Sequence, residues 1–234
     1  ALGIRGAAIA TVIGQWLAMV ITLLAVMKKN SLRGRFKPEF CKQIYANGIG
    51  SIVTQSLYTI YIVGLNMILK IFTEDAVTVL GIYYKIQSFF FIPLLGFQQV
   101  LLPLFSYHYG AGDRHRNRNI LKCAMTFSAA IMAVATGIFL LFPEKLVQIF
   151  SMESTILAIG KYAFPVISIS FVFAGLTIVI TSYLQGIAHI KSSLFIIVLR
   201  QIVLLVPLAW AFHFISLNAV WWTFPVTEII ASMT

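Results

Sequence analysis

The chain has 234 residues, 60% of them hydrophobic and 10% charged, with a formal net charge of +10 and a mean hydropathy of +0.93. A chain this apolar cannot hide its surplus inside a water-soluble globule of this size, so a soluble domain is excluded and an integral membrane protein is implied. The apolar runs are long and continuous, without the period-two alternation of barrel strands, and they predict an all-α polytopic fold.

Seven runs read as transmembrane helices, at 7–27, 48–69, 77–107, 120–142, 156–184, 192–214 and 219–233. Most reach the ~20 residues that a spanning helix needs, whereas the last rises only about 24 Å against a hydrocarbon core of ~30 Å. The first run follows no initiator Met and no charged leader. With the short last helix, this reads as an internal piece of a longer protein, with neither a signal nor a transit peptide.

Between the first two runs the segment KKNSLRGRFKPEFCK, from Lys28, is dense in charge and carries Gly34 and Pro38. It predicts a linker, dividing the chain into a lone helix at 1–27, a linker at 28–43 and a six-helix group at 44–234. Basic residues concentrate in alternate loops: Lys28, Lys29, Arg33, Arg35, Lys37 and Lys42, then Arg114, Arg116, Arg118 and Lys122, then Lys191. Lys and Arg near helix ends favour the cytoplasm, which places the loops at 28–43, 108–119 and 185–191 inside, in a multi-pass plasma-membrane protein. The positive charge is thus a topology signal with some attraction to anionic lipid, and the lipid bilayer, not nucleic acid, is the partner it implies.

Cys41 and Cys123 lack a second pair at metal-ligand spacing, and His108, His115, His189 and His213 lack an i, i+4 partner. No metal site, disulfide or catalytic residue is expected, and no carboxylate pair, HExxH or Gly-rich phosphate loop suggests an enzyme. The segment PEKLVQIFSMES, from Pro143, places Leu146, Ile149 and Phe150 at helical spacing and predicts a short interfacial helix on the outer face.

Helical phase shows polar stripes inside three spans. In the second span Gly48, Ser51, Gln55, Thr59 and Asn66 share one face; in the third, Lys85, Ser88, Gly96 and Gln99 align while Gln87 and Gln98 share another; in the fifth, Ser170, Ala174, Thr177, Thr181 and Gln185 form a third. Small hydroxyl and glycine stripes are ordinary helix packing, the reading preferred for the fifth span. The bulkier Gln55, Asn66, Gln98 and Gln99 leave packing and an aqueous cavity both open. Three ionisable residues lie deep: Lys85 about 12 Å below the outer face, Arg200 about 12 Å above the inner face, and Glu228 about 13 Å below the outer face. Snorkelling accounts for the two long cations, but Glu228 has to find a partner or a proton. Equal depth suggests that Lys85 and Glu228 pair or share water. Pro93 and Pro103, Pro165, Pro207 and Pro225 predict interruptions in the third, fifth, sixth and seventh spans.

The segments KIQSFFFIPLLGFQQVLLPLFSYHYGAGD from Lys85, SYLQGIAHIKSSLFIIVLRQIVLLVPLAW from Ser182 and AVWWTFPVTEII from Ala219 resemble, in order and spacing, the multidrug and toxic compound extrusion family of secondary transporters, in its bacterial multidrug branch. The resemblance implies a twelve-helix exporter of two six-helix lobes, of which this chain supplies the last helix of the N-terminal lobe, the linker and most of the C-terminal lobe. It further implies export of cationic or amphipathic compounds by alternating access in exchange for Na⁺ or H⁺, with no other cofactor and with the N-terminal lobe as partner. Some members carry a coupling carboxylate in the first helix of this lobe, where this sequence offers Gln55; Glu228 is the local alternative, or else the carboxylate lies in the N-terminal half. The cavity candidates are Gln55, Thr59, Asn66, Lys85, Gln87, Gln98, Gln99, Arg200 and Glu228. A lipid-linked precursor flippase of the same superfamily and a non-transporting helical bundle are the competing readings.

Overall fold

The computed structural model describes residues 3–29 and 38–233, so residues 30–37 of the expected linker lie outside it. The chain divides into two units, Ala1–Asn47 and Gly48–Thr234. Helix α1 (Gly3–Lys29) carries Ile9, Val12, Trp16, Leu17, Ile21 and Leu24 exposed around its circumference. Such a helix is suited to lipid or to another helix, because it buries none of these side chains within the described residues.

The other helices are α2 (Pro38–Lys70), α3 (Glu74–Gly110), α4 (Arg114–Leu141), α5 (Pro143–Gln148), α6 (Ser154–Ser168), α7 (Ser170–Gly186), α8 (Ile190–Val198), α9 (Val206–His213), α10 (Leu217–Trp221) and α11 (Thr223–Met233), with a π-helical segment at Leu199–Leu205. Together with α1, and apart from α5, they cover the seven expected runs, and no strand occurs among the described residues. By length and apolar composition Ala8–Lys28, Glu74–Gly110, Arg114–Leu141 and Ile190–His213 can each cross a bilayer, and the bent pair α6–α7 makes a fifth. The second and seventh runs also form helix, as α2 and as α10–α11, the latter too short for that set.

Local chemistry fixes the helix starts. Thr73 accepts the Ala76 amide at 3.1 Å to cap α3, whose first turn adds Glu74 and Asp75 at the positive end of the helix dipole. Asp113 accepts the Arg116 amide at 2.9 Å to cap α4, after Gly112 turns the chain at φ +73. Ser216 does the same for α10 through the Ala219 amide at 3.1 Å.

The prolines act unequally. Pro93 and Pro103 lie inside α3, which continues through both, contrary to the expected interruptions. Pro165 precedes a 43° bend between α6 and α7. There Ser168 Oγ donates to Pro165 O at 2.8 Å, Ser170 Oγ to Ile167 O at 2.6 Å, and Thr136 Oγ1 of α4 to Ser168 O at 3.0 Å. Hydroxyls thereby satisfy carbonyls near the bend, which hydrocarbon cannot do. Pro207 follows the π-helical segment, and Pro225 follows the break at Trp222, where Thr223 Oγ1 donates to Val220 O at 2.6 Å.

The core of the second unit is aromatic. Tyr83 of α3 is 1% exposed, and its ring centroid lies 6.4 Å from Phe139 of α4, 6.2 Å from Phe164 of α6, 6.3 Å from Phe171 of α7 and 5.8 Å from Phe224 of α11. Small residues allow the remaining approaches. A Cβ on Gly175 of α7 would stand 2.7 Å from Ser128 Oγ and Met132 Cγ of α4, and one on Gly160 of α6 would stand 2.6 Å from Val147 Cγ2 of α5. Helix α5 is shorter than the expected amphipathic segment: Val147 is its buried anchor, while Ile149, Phe150 and Met152 lie exposed beyond its end. An ion pair between Lys161 Nζ and Glu144 Oε1 fastens α5 to α6.

Gly186 ends α7 against α3, where a Cβ would meet Phe105 Cβ at 2.6 Å and Leu102 O at 3.3 Å. Gly186→Ala is expected to lower stability by roughly 1–3 kcal/mol, because neither contact is the tip of a flexible side chain. Gly81→Ala, with open space around it, is expected to show no loss. Apparent melting temperatures of the intact protein in detergent compare the two.

Candidate functional site

Seven acidic residues occur in the chain, and six of them stand at helix N-termini: Glu39, Glu74, Asp75, Asp113, Glu144 and Glu153. Glu228 stands within α11. Its Oε2 accepts from Arg200 Nη1 at 3.3 Å, with the two side chains 15% and 21% exposed. Arg200 belongs to the π-helical segment Leu199–Leu205, so the pair joins that segment to α11.

This arrangement corrects the expected pairing of Glu228 with Lys85. Lys85 is exposed on α3, and its Nζ lies 5.7 Å from the centroid of the Phe150 ring beyond α5, a cation–π contact. Depth along a helix specifies height but not azimuth, and the estimated levels of Arg200 and Glu228 differ by only about 5 Å across a ~30 Å core. A guanidinium spans that difference, and α11 packs directly on the π-helical segment.

Tyr83 of α3 lies within electrostatic reach of both members of the pair. Tyr61 of α2 lies within electrostatic reach of both Arg200 and Glu228. Its ring meets Tyr58 edge-on at 5.3 Å and Tyr84 of α3 at 6.5 Å. Tyr84 Oη, beside Tyr61, is buried without a hydrogen bond of ordinary geometry, and so is Oε1 of Gln201, the residue following Arg200. Tyr58, Tyr61, Tyr84 and Gln201 were not among the candidates. A tyrosine in an apolar helix reads as packing, and only its spacing from the Gln55 stripe could have drawn notice.

The other candidates separate into two places. On α2, Gln55 and Thr59 are exposed, with Thr59 Oγ1 donating to Gln55 O at 3.4 Å, and Asn66 is half-buried. Gln55 and Thr59 lie on the exposed side of the helix, whereas Tyr61 lies toward its core residues Leu65 and Ile68. The side chain of Ser51 lies outside the described residues, and Gly48 belongs to the backbone of α2. On α3, Lys85, Ser88, Gly96 and Gln99 form an exposed face, and Gln87 and Gln98 are half-buried. A hollow of about 250 Å³ against Ala8, Ile9, Val12 and Ile13 and one of about 480 Å³ between α7 and α8 contain none of the nine candidates.

In the fifth span Thr177 Oγ1 donates to Phe173 O at 2.9 Å and Thr181 Oγ1 to Thr177 O at 2.9 Å, both residues buried. Hydroxyls spent on their own helix are packing groups, as expected for that stripe.

Long apolar helices, broken spans and a carboxylate–guanidinium pair inside the bundle define an all-helical, multi-pass plasma-membrane protein that keeps ionisable chemistry within its spans. Comparison with known proteins identifies which. The MatE family model matches residues 50–211, and the chain belongs to that family. It is 21% identical over 238 residues to the multidrug export protein MepA of Staphylococcus saprophyticus, covering 99% of this chain and 52% of that protein. It is 22% identical over 190 residues to the probable multidrug resistance protein NorM of Thermotoga maritima, covering 79% of this chain and 41% of that one. An outward-facing multidrug resistance MATE family transporter of the MOP superfamily superposes with a TM-score of 0.87 at 21% identity, over 99% of this chain and 55% of its own. The MATE multidrug transporter DinF-BH, solved in complex with R6G, superposes with a TM-score of 0.81 at 25% identity, over 99% of this chain and 54% of its own. The chain therefore spans about half the length of the relatives it matches.

Truncating one member of the pair strands the other. Arg200→Ala is expected to cost about 3 kcal/mol, the lower end for a buried pair because both side chains keep some exposure, while the double change Arg200→Met with Glu228→Leu recovers most of it. Thermal unfolding of the intact protein in detergent, arranged as a double-mutant cycle, measures the coupling.

Proposed function

We propose that the intact protein of which this chain forms part exports cationic or amphipathic drugs across the plasma membrane, by antiport with Na⁺ or H⁺ through alternating access, and is not an enzyme. The Arg200–Glu228 pair carries this reading. A carboxylate far from either end of its span is expensive to keep there, and a transporter has a use for it that a structural bundle lacks. The pair is held by one hydrogen bond of 3.3 Å, between groups that retain some exposure. Exchange of partners with a proton, a cation or a charged drug is therefore within reach.

Breaks in the helices supply the second requirement. Coupled transport needs an ion and a drug to prefer different conformations. The π-helical segment before Pro207 and the 43° bend after Pro165 are places where a span can change direction without exposing unpaired backbone. Gln55, Thr59, Asn66 and Tyr58 on α2, with Lys85 and Gln99 on α3, then line a cavity shared with the remaining half of the protein, and Gln87 and Gln98 border it. The relatives named for multidrug export agree with drugs as substrates. A flippase for a pyrophosphate-linked precursor would need uncompensated cations in the cavity, and Arg200 is already neutralised by Glu228.

Ethidium efflux by the intact protein in vesicles, under imposed Na⁺ or proton gradients, tests the reading. Gradient-dependent efflux is expected, with Glu228→Gln lowering it by about tenfold or more. No gradient-driven movement of any cationic dye would remove the exporter assignment. Full activity of Glu228→Gln would move the coupling carboxylate to the remaining half.

A further inference from the structure

The turn between α7 and α8 is fastened from several sides. Gly186 presses on Phe105 and Leu102 of α3. Gln185 Nε2 donates to Ser193 Oγ at 2.9 Å across the turn, and His189 Nδ1 lies 3.0 Å from Ile187 O. Ala188 is held at φ +63, a left-handed conformation disfavoured for a residue with a Cβ. Ser193 is buried by this arrangement, whereas Lys191 and Ser192 are exposed.

Beside them is the hollow of about 480 Å³, lined by Leu184, Lys191, Ser192, Phe195 and Ile196. Lys191 and Ser192 form its rim at the start of α8. Phe195, 62% exposed, and Ile196 lie one turn further into the span. A cationic, hydroxyl-bearing rim thus stands above an apolar wall. Arg200 is about 14 Å further along the helix, so this place is distinct from the Arg200–Glu228 pair.

More positive charge lies at the same end. Phe105 packs against Gly186, and its carbonyl accepts from Asn117 Nδ2 of α4 at 3.5 Å. The start of α4 around Asn117 exposes Arg114, Arg116, Arg118 and Lys122. The ion pairs among the described residues are Lys161–Glu144 and Arg200–Glu228, and Asp113, which caps α4, stands beside these four cations and leaves the group with a net positive charge.

We propose that the α7–α8 hollow binds one anionic phospholipid, with its phosphate at Lys191 Nζ and Ser192 Oγ and an acyl chain along Phe195 and Ile196. The α4 cations select a headgroup of net negative charge. A cationic drug would be repelled from the rim, and a free phosphate ion would leave the apolar wall unused. This assignment does not rest on the exporter reading.

Native mass spectrometry tests it, on the intact protein extracted gently from membranes of phosphatidylglycerol and phosphatidylethanolamine. Preferential retention of one phosphatidylglycerol is expected. Lys191→Ala is expected to reduce that retention about fivefold, the effect of one basic residue near an anionic surface. Lys191→Arg is expected to keep it and Phe195→Ala to weaken it, and since both positions are exposed the variants retain the fold. Equal retention by the wild type and Lys191→Ala, or equal retention of the two lipids, overturns the proposal. So does displacement by millimolar inorganic phosphate, or the absence of retained lipid because the other half of the protein covers the hollow.

Discussion

A carbonyl released from its helix inside hydrocarbon has no water to turn to, and this constraint shapes the second unit more than any single packing contact. Each departure from regular helix has its own remedy. At the α6–α7 bend three hydroxyls, one of them from α4, donate to carbonyls. At the α10–α11 break Thr223 and Thr227 donate back along the chain. Ahead of Pro207 the winding loosens to π, which spreads the loss of one donor over seven residues. The bundle can therefore contain bends without containing unpaired polar backbone.

Between these breaks the aromatic cluster around Tyr83 acts as the fixed part. One ring meets residues of α4, α6 and α11 edge-on and stacks on one of α7, and aromatic pairs of this kind each contribute about 0.5–1.5 kcal/mol beyond the area they bury. The Arg200–Glu228 pair lies within electrostatic reach of Tyr83 in this cluster and of Tyr61 on α2. The division of labour is physical: dense aromatic packing resists change, whereas a solitary charged hydrogen bond beside a π-helical segment is a place where little has to be broken for the structure to shift.

The sequence disclosed the fold class and the helix positions, because composition and period act locally. Arg200 and Glu228 were both singled out, and only their partnership was missed: one-dimensional depth placed Lys85 level with Glu228, while azimuth, which decides contact, depends on tertiary packing. Thr177 and Thr181 illustrate a reading that local chemistry made secure, since a hydroxyl in a span most often returns to its own backbone. Tyr61 and Tyr84 went unnoticed for the opposite reason, since a phenol carries no polar signal until a charged neighbour is known. Pro93 and Pro103 show the limit of residue-level rules, for α3 passes through both, and a long span with packed neighbours tolerates a missing donor that would end a helix in water.

The seven residues Leu199–Leu205 wind one residue per turn more loosely than the helices on either side. Seven residues wound this way turn through about as much as six of an ordinary helix, so removing a single amino acid from that stretch would tighten it to ordinary pitch and leave the flanking helices in nearly the same phase. Arg200 stands at the start of that stretch, so the extra residue alters the winding beside the charge pair while the helices on either side keep their faces. A span with one residue more or fewer at this point is thus a change in length that the rest of the bundle can absorb without any other helix face leaving its neighbour.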